Sequence, residues 1–225
     1  MIQYTLVRSR RKTIAVHIKK NASIEVRAPL KMSKADIDRF VATNEKWIEA
    51  HLAKRKRLNE EKAAFSLNYG DTVMFCGKIY PIKAKAGTRA GFDGECFYMP
   101  PNLTPEDIKP LVIRVYKAIA KRILNEKVSE YAKHMNVLPT AVRITGAKTR
   151  WGSCSGKNSI NFSWRLVMAD NDVIEYVVVH ELAHIREHNH SPCFWAVVES
   201  ILPDYKDRKK KLKLLQKKLI SQDWD

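Results

Sequence analysis

The stretch Val173-Ile-Glu-Tyr-Val-Val-Val-His-Glu-Leu-Ala-His-Ile185 constrains this chain more than any other. Apolar residues (Val173, Ile174, Val177, Val178, Val179, Leu182, Ala183 and Ile185) cover nearly the whole circumference of a helix. That pattern marks a helix buried in a core, opened by the acidic turn Asp172 to Glu175. His180, Glu181 and His184 lie within it, so three polar groups must be buried together. Such burial is costly unless a metal ion or a complete hydrogen-bond network compensates.

The spacing favours the metal. Histidines at i and i+4 leave one helix face about one turn apart, close enough for both imidazoles to reach one ion. Glu181 sits about 100° round from His180, beside the ion rather than on it, where a carboxylate acts as a base. Given the histidines and glutamates available, roughly 0.01 His-Glu-x-x-His matches are expected by chance in a chain of this size.

A catalytic zinc site takes three protein ligands and leaves one position for water. His188 continues the i+4 series, but three histidines on one straight helix span roughly 12 Å and cannot converge on bonds of ~2 Å. His190 lies past the helix end, where Asn189 can adopt a left-handed turn and fold the chain back. His190 is therefore the expected third ligand. Glu199, one helix further on, is the runner-up, with an exposed surface carboxylate as its plainer reading.

Around this centre the pattern is α+β. Period-two alternation of Ile14, Val16 and Ile18, then Ile24 and Val26, predicts two or three short strands before Pro29. Ser33 to Asp36 opens a long amphipathic helix through Ile37, Phe40, Val41, Trp47, Ile48 and Leu52, fading into Lys54 to Arg57. Short strands with glycine turns follow from Tyr69 to Tyr98. Thr104-Pro105-Glu106-Asp107 starts a helix reaching about His134. Val142 to Ile144 and Ser159 to Trp164 read as strands. Ser191-Pro192 caps another helix, and a basic helix runs from about Lys206 to Ile220. The expected division is a strand-rich N-terminal lobe with the long helix over 1–100 and a metal-binding catalytic lobe over 101–225.

Composition narrows the remaining choices. With 45% hydrophobic and 29% charged residues the chain is a globular one rather than a disordered one. No apolar run reaches the ~18 to 20 residues of a membrane span, and the N-terminus lacks a signal-like apolar segment, so a cytoplasmic location is expected. Cys76, Cys96, Cys154 and Cys193 form no Cys-x-x-Cys pair, and neither a disulfide framework nor a cysteine zinc site is expected. A net charge of +17, from 41 basic and 24 acidic residues, draws in polyanions. The basic clusters Arg8 to Lys12, Lys54 to Arg57 and Lys209 to Lys218 read first as solvated faces and keep nucleic acid open as a partner.

Several segments together resemble the YgjP-like metallopeptidase family, relatives of the SprT-like zincins. They are His180-Glu-Leu-Ala-His184 continued as Ile-Arg-Glu-His-Asn-His-Ser-Pro-Cys-Phe-Trp195, Arg150-Trp-Gly-Ser-Cys-Ser155, Asn161-Phe-Ser-Trp-Arg-Leu166 and Arg8-Ser-Arg-Arg-Lys-Thr-Ile14. Phe162 stands where the family more often has leucine. The resemblance covers nearly the whole chain. It implies a zincin-like catalytic lobe, one zinc ion on His180, His184 and His190, and a soluble bacterial or archaeal protein. The activity it implies is metal-dependent hydrolysis, of peptides or of nucleotides. A zincin-like lobe also implies an edge strand that pairs with substrate, for which Ser159 to Ser163 is the candidate. Arg150 and Arg165 are candidates for stabilising an oxyanion.

The leading expectation is a zinc metallopeptidase that attacks a protein or peptide substrate with metal-activated water, Glu181 acting as general base. One alternative is a metal-dependent nucleoside triphosphate pyrophosphatase. The other is a nucleic-acid-binding module with structural zinc, which the histidine-rich and cysteine-free ligand set disfavours.

Overall fold

The computed structural model describes residues 2–224. The chain is mixed α+β and divides into two units, residues 2–65 with 220–223, and residues 66–219 with Trp224.

The first unit carries strands β1 (Thr5–Ser9), β2 (Ala15–Ile18) and β3 (Ile24–Pro29), then helices α1 (Lys34–Thr43) and α2 (Glu45–Ala63). The strands form one sheet in the order β1-β3-β2, with β3 parallel to β1 and antiparallel to β2. Val26, Ala28, Ile37 and Ile48 are fully buried and Ile24 and Val41 nearly so; Tyr4, Leu6, Val16 and Leu52 pack against them. Glu25 is a buried carboxylate on β3, hydrogen-bonded by Lys19 and Arg27, which hold it down at about 2.

The single long helix expected from Ser33 is two helices. Ser33 caps α1 by accepting from the Asp36 backbone N–H at 3.1 Å. At the other end the Asn44 side-chain amide donates to Phe40 O at 2.8 Å, and its backbone N–H reaches Phe40 O and Val41 O. Asn44 leaves helical geometry with ψ 11°. Asparagine satisfies helix-end carbonyls in this way, and a periodicity count does not see it.

The second unit begins with β4 (Thr72–Phe75), β5 (Lys78–Ala84), β6 (Gly91–Phe92) and β7 (Phe97–Met99), paired in the order β4-β5-β7-β6. The β4–β5 turn is Cys76-Gly77, both at positive φ (47° and 74°), the pairing that two-residue hairpin turns favour. Gly77 has a second reason to be glycine, since a Cβ there would lie 1.7 Å from Asp170 Oδ1. Helix α3 (Pro105–His134) follows, opened by a capping box in which Asp107 accepts from the Thr104 N–H at 3.3 Å.

A second small sheet comes next: β8 (Ala141–Thr145), β9 (Gly152–Cys154) and β10 (Ser159–Ser163), in the order β8-β10-β9. β10 pairs parallel with β8 and antiparallel with β9. The expectation that Ser159 to Ser163 forms an edge is therefore corrected, because both sides of β10 are already paired. The edges are β8 and β9; β9 is the one packed on α4, and its three residues are too short for period-two alternation to register. A 3-10 turn (Trp164–Met168) then leads to α4 (Asn171–Ala183), α5 (Pro192–Ile201) and α6 (Tyr205–Leu219).

The core of this unit is aromatic at its centre. Tyr116 of α3 stacks on Trp164 with ring centroids 5.4 Å apart and meets Phe97 at 5.1 Å; its hydroxyl donates to Met74 O at 2.6 Å. α4 packs against α3, α5, α6 and β9 and is buried along almost its full length, as its all-round apolar sequence requires.

One polar junction links these helices. Glu175 of α4 accepts from Lys127 Nζ of α3 at 2.8 Å and from Arg208 Nη1 of α6 at 3.0 Å. Burial alone would raise its carboxyl, but the two cations outweigh it and hold it below the ordinary glutamate value. A lowered folded-state pKa contributes stability that is fully present above the unfolded value of about 4.3 and is lost as pH falls through the folded value. Glu175→Gln is therefore expected to cost roughly 1–2 kcal/mol at neutral pH and to flatten the loss of stability below pH ~4.5, as read from urea melts across pH.

Candidate metal centre

α4 ends at Ala183, and the chain then closes on itself. Ile185 N–H bonds Leu182 O at 3.0 Å, and Arg186 N–H and Glu187 N–H both reach Ala183 O at 3.0 Å. This turn carries the backbone past His188 and returns His190 toward the helix. The expected left-handed Asn189 does not occur, for Asn189 is absent from the positive-φ residues. Its side chain instead accepts from the Ser191 N–H at 3.0 Å, a side-chain turn that leads into α5. Ser191 then caps α5 by accepting from the Phe194 N–H.

The result brings His180, His184 and His190 together, with one ligand atom of each within 4.8 Å of the others. Ring centroids stand 5.0 Å apart for His180 and His184, 5.0 Å for His180 and His190, and 4.7 Å for His184 and His190. His188 and Glu199 are outside this group. His188 is exposed, and Glu199 faces Lys206 at 3.6 Å on the surface.

Whether these donors suit a cation can be judged from their hydrogen bonding. His180 Nε2 and His190 Nε2 approach to 3.1 Å, and two ring nitrogens at that distance need a proton or a cation between them. A tetrahedral zinc with ~2.0–2.1 Å bonds places its ligand nitrogens roughly 3.3 Å apart, so the pair fits. His184 Nδ1 lies 3.0 Å from Glu187 O; a carbonyl only accepts, so Nδ1 carries the proton and Nε2 is left as a lone pair. Burial, reinforced by the neighbouring rings and by Lys209, pushes His180 down to about 3. Burial also lowers His184, against the opposing pull of the Glu187 carbonyl. Neutral imidazoles are the form that binds metal.

Two features of the centre lacked a readable signal in the sequence. Phe194, fully buried at the start of α5, touches all three rings with centroids 4.9, 4.5 and 4.8 Å from His180, His184 and His190. It forms an apolar floor that restricts the rotation of each imidazole. Gly152 of β9 is the second, because a Cβ there would lie 2.5 Å from Glu181 Oε1 and 2.6 Å from its Cγ. The Glu181 side chain, only 5% exposed, thus rests against bare backbone. Burial pushes its carboxyl up to about 8, and the charge of Arg150 opposes that shift.

Of the two arginines considered for an oxyanion, Arg150 is exposed and acts electrostatically on Glu181. Arg165 is engaged elsewhere, donating to Gly146 O at 3.0 Å and Trp224 O at 3.3 Å with its guanidinium over Trp164.

His190→Ala is expected to weaken binding of a divalent transition metal by at least ~10- to 100-fold in calorimetric titration, the range seen when even a supporting group is lost. His188→Ala and Glu199→Ala should leave that affinity unchanged.

Residues 12–214 match the sequence pattern of the YgjP-like, metallopeptidase domain family. No curated protein matches the chain. Among solved structures, the chain is similar to the metallopeptidase zymogen of Pyrococcus abyssi abylysin (23% identity, TM-score 0.38, covering 43% of this chain and 94% of that one). It is also similar to the metallopeptidase zymogen of Methanocaldococcus jannaschii jannalysin (23% identity, TM-score 0.36, 42% and 95%). With the family pattern spanning most of its length, the chain belongs to the YgjP-like metallopeptidase family.

Proposed function

We propose that this protein is a zinc-dependent peptidase in which His180, His184 and His190 hold one zinc ion and Glu181 is the general base. The observation that carries this reading is the convergence of three imidazoles beside a buried carboxylate, in a chain of a metallopeptidase family. A zinc ion held there supplies Lewis-acid polarisation of the scissile carbonyl, acidifies water and, by its charge, favours ionised Glu181.

The chain's own residues do the rest. Glu181 receives the proton of the attacking water at its carboxylate and returns it to the departing amine nitrogen. Gly152 sets where that carboxylate lies, and Arg150 favours its ionised form. Phe194 and the Glu187 carbonyl fix the planes of the rings, so the ligands need little reorganisation. β9, the edge strand that packs on α4, offers unpaired backbone groups to an extended substrate. No helix among the described residues is long and apolar enough to cross a membrane, which agrees with a substrate met in water.

Glu181→Gln is expected to keep one equivalent of zinc and to lower kcat by roughly 10²–10⁴ on an unfolded protein such as casein. Parallel incubation with nucleoside triphosphates decides between substrate classes, since pyrophosphate release with casein left intact would end the peptidase reading.

Gly152→Ala displaces the Glu181 carboxylate and should lower kcat on the order of 10²-fold with zinc content and KM little changed. In the Glu181→Gln background the same change should cause no further loss. Additive losses would show that Gly152 serves the sheet rather than the base.

A further inference from the structure

α6 has two faces that differ in what they hold. Arg208 and Lys211 anchor one face to α4: Arg208 Nη1 donates to Asp172 O and Glu175, each at 3.0 Å, and Lys211 Nζ meets Asp172 Oδ2 at 2.6 Å. At ~100° per residue, Lys206, Lys209, Lys210 and Lys213 leave the opposite face. Together with Trp195 and Tyr205 they line an open cavity of ≈ 430 Å³.

The cavity adjoins the candidate metal centre through a single ring. Trp195 stands 5.8 Å from His180 and 5.7 Å from His190, ring centre to ring centre. On the cavity side Lys209 Nζ lies 4.4 Å over the Trp195 ring, and Tyr205 stacks on it at 5.2 Å and 16°. The positive charge is only partly matched. Lys206 faces Glu199 at 3.6 Å and Lys210 faces Asp207 at 2.8 Å, whereas Lys209 and Lys213 enter no ion pair among the described residues.

We infer that this cavity is a subsite taking the carboxylate of an Asp or Glu side chain of a peptide substrate, close to the bond that is cut. The assignment rests on the peptidase reading above. Two ammonium groups that enter no ion pair among the described residues, one ring away from the candidate metal ligands, suit a point anion carried on a chain that continues to the scissile bond. A nucleobase fits less well. Tyr205 is only 8% exposed and Trp195 is already stacked and covered by Lys209, so the cavity has no bare ring face for a base to stack on.

The test uses zinc-loaded Glu181→Gln protein, so that binding is read without cleavage. Fluorescence anisotropy compares a labelled hexapeptide containing two adjacent Glu residues with its Gln counterpart. The Glu peptide should bind about three- to tenfold more tightly at low salt, a preference that shrinks in 0.5 M NaCl. Lys209→Met with Lys213→Met should bring the ratio near one, and Lys209→Arg with Lys213→Arg should retain it. Equal binding of the two peptides, absence of binding by both, or a preference that survives the methionine pair would overturn the subsite. So would loss of nucleoside triphosphate or single-stranded DNA binding in the methionine pair with the Glu peptide unaffected. Casein cleavage by the wild-type protein separates the two proposals. Cleavage with no acidic preference in the binding assay removes the subsite and leaves the peptidase reading, whereas acidic preference without cleavage removes the peptidase reading and with it the subsite's place beside a scissile bond.

Discussion

The structure depends on seating two half-buried imidazoles and a buried carboxylate at the end of one largely apolar helix. α4 could sit in a core only if those groups found compensation there, and each neighbour supplies part of it. The turn after Ala183 returns a third imidazole, the Glu187 carbonyl accepts from His184 Nδ1, Phe194 closes the floor, and Gly152 admits Glu181. Glu181 is the most demanding of these groups, since a buried carboxylate without its seat costs more than the contact itself contributes.

Different physics acts on the two kinds of residue at this centre. The histidines are held by ring contacts, mostly edge-to-face, with Phe194 and with one another, which fix orientation at little energetic cost per contact. Glu181 is held by exclusion, pressed against backbone where no side chain can intervene. α6 adds a third influence from outside the cluster, since the charge of Lys209 reaches His180.

Much of this was legible in the sequence, and the limits follow from physics. The histidine group could be picked out because an i, i+4 pair shares one helix face and a third histidine further along the same straight helix cannot join it. α3 could be read to its ends because Thr104, Pro105 and Asp107 write its cap into the chain. The break at Asn44 was hidden, as its cause is one side-chain amide bonding back to Phe40 rather than a change of periodicity. β9 was hidden by its length, and the edge role passed wrongly to β10, whose alternation is clear because Ile160 and Phe162 share one buried face of the sheet. The turn before His190 was expected from the right residue by the wrong device, a left-handed Asn189 in place of an asparagine side chain accepting from Ser191. Phe194 and Gly152 lie within segments that carry the family resemblance, but a phenylalanine packed under rings and a glycine beside a carboxylate are not announced by residue type or period.

The seat of Glu181 has a consequence for partly unfolded forms. The three imidazoles come from one short segment, His180 to His190, whereas the wall behind the carboxylate belongs to a separate sheet. A molecule whose β8–β10 sheet has come loose keeps its cluster of rings but lets the glutamate swing away. Loosening of that sheet is thus felt by the carboxylate before it is felt by the rings.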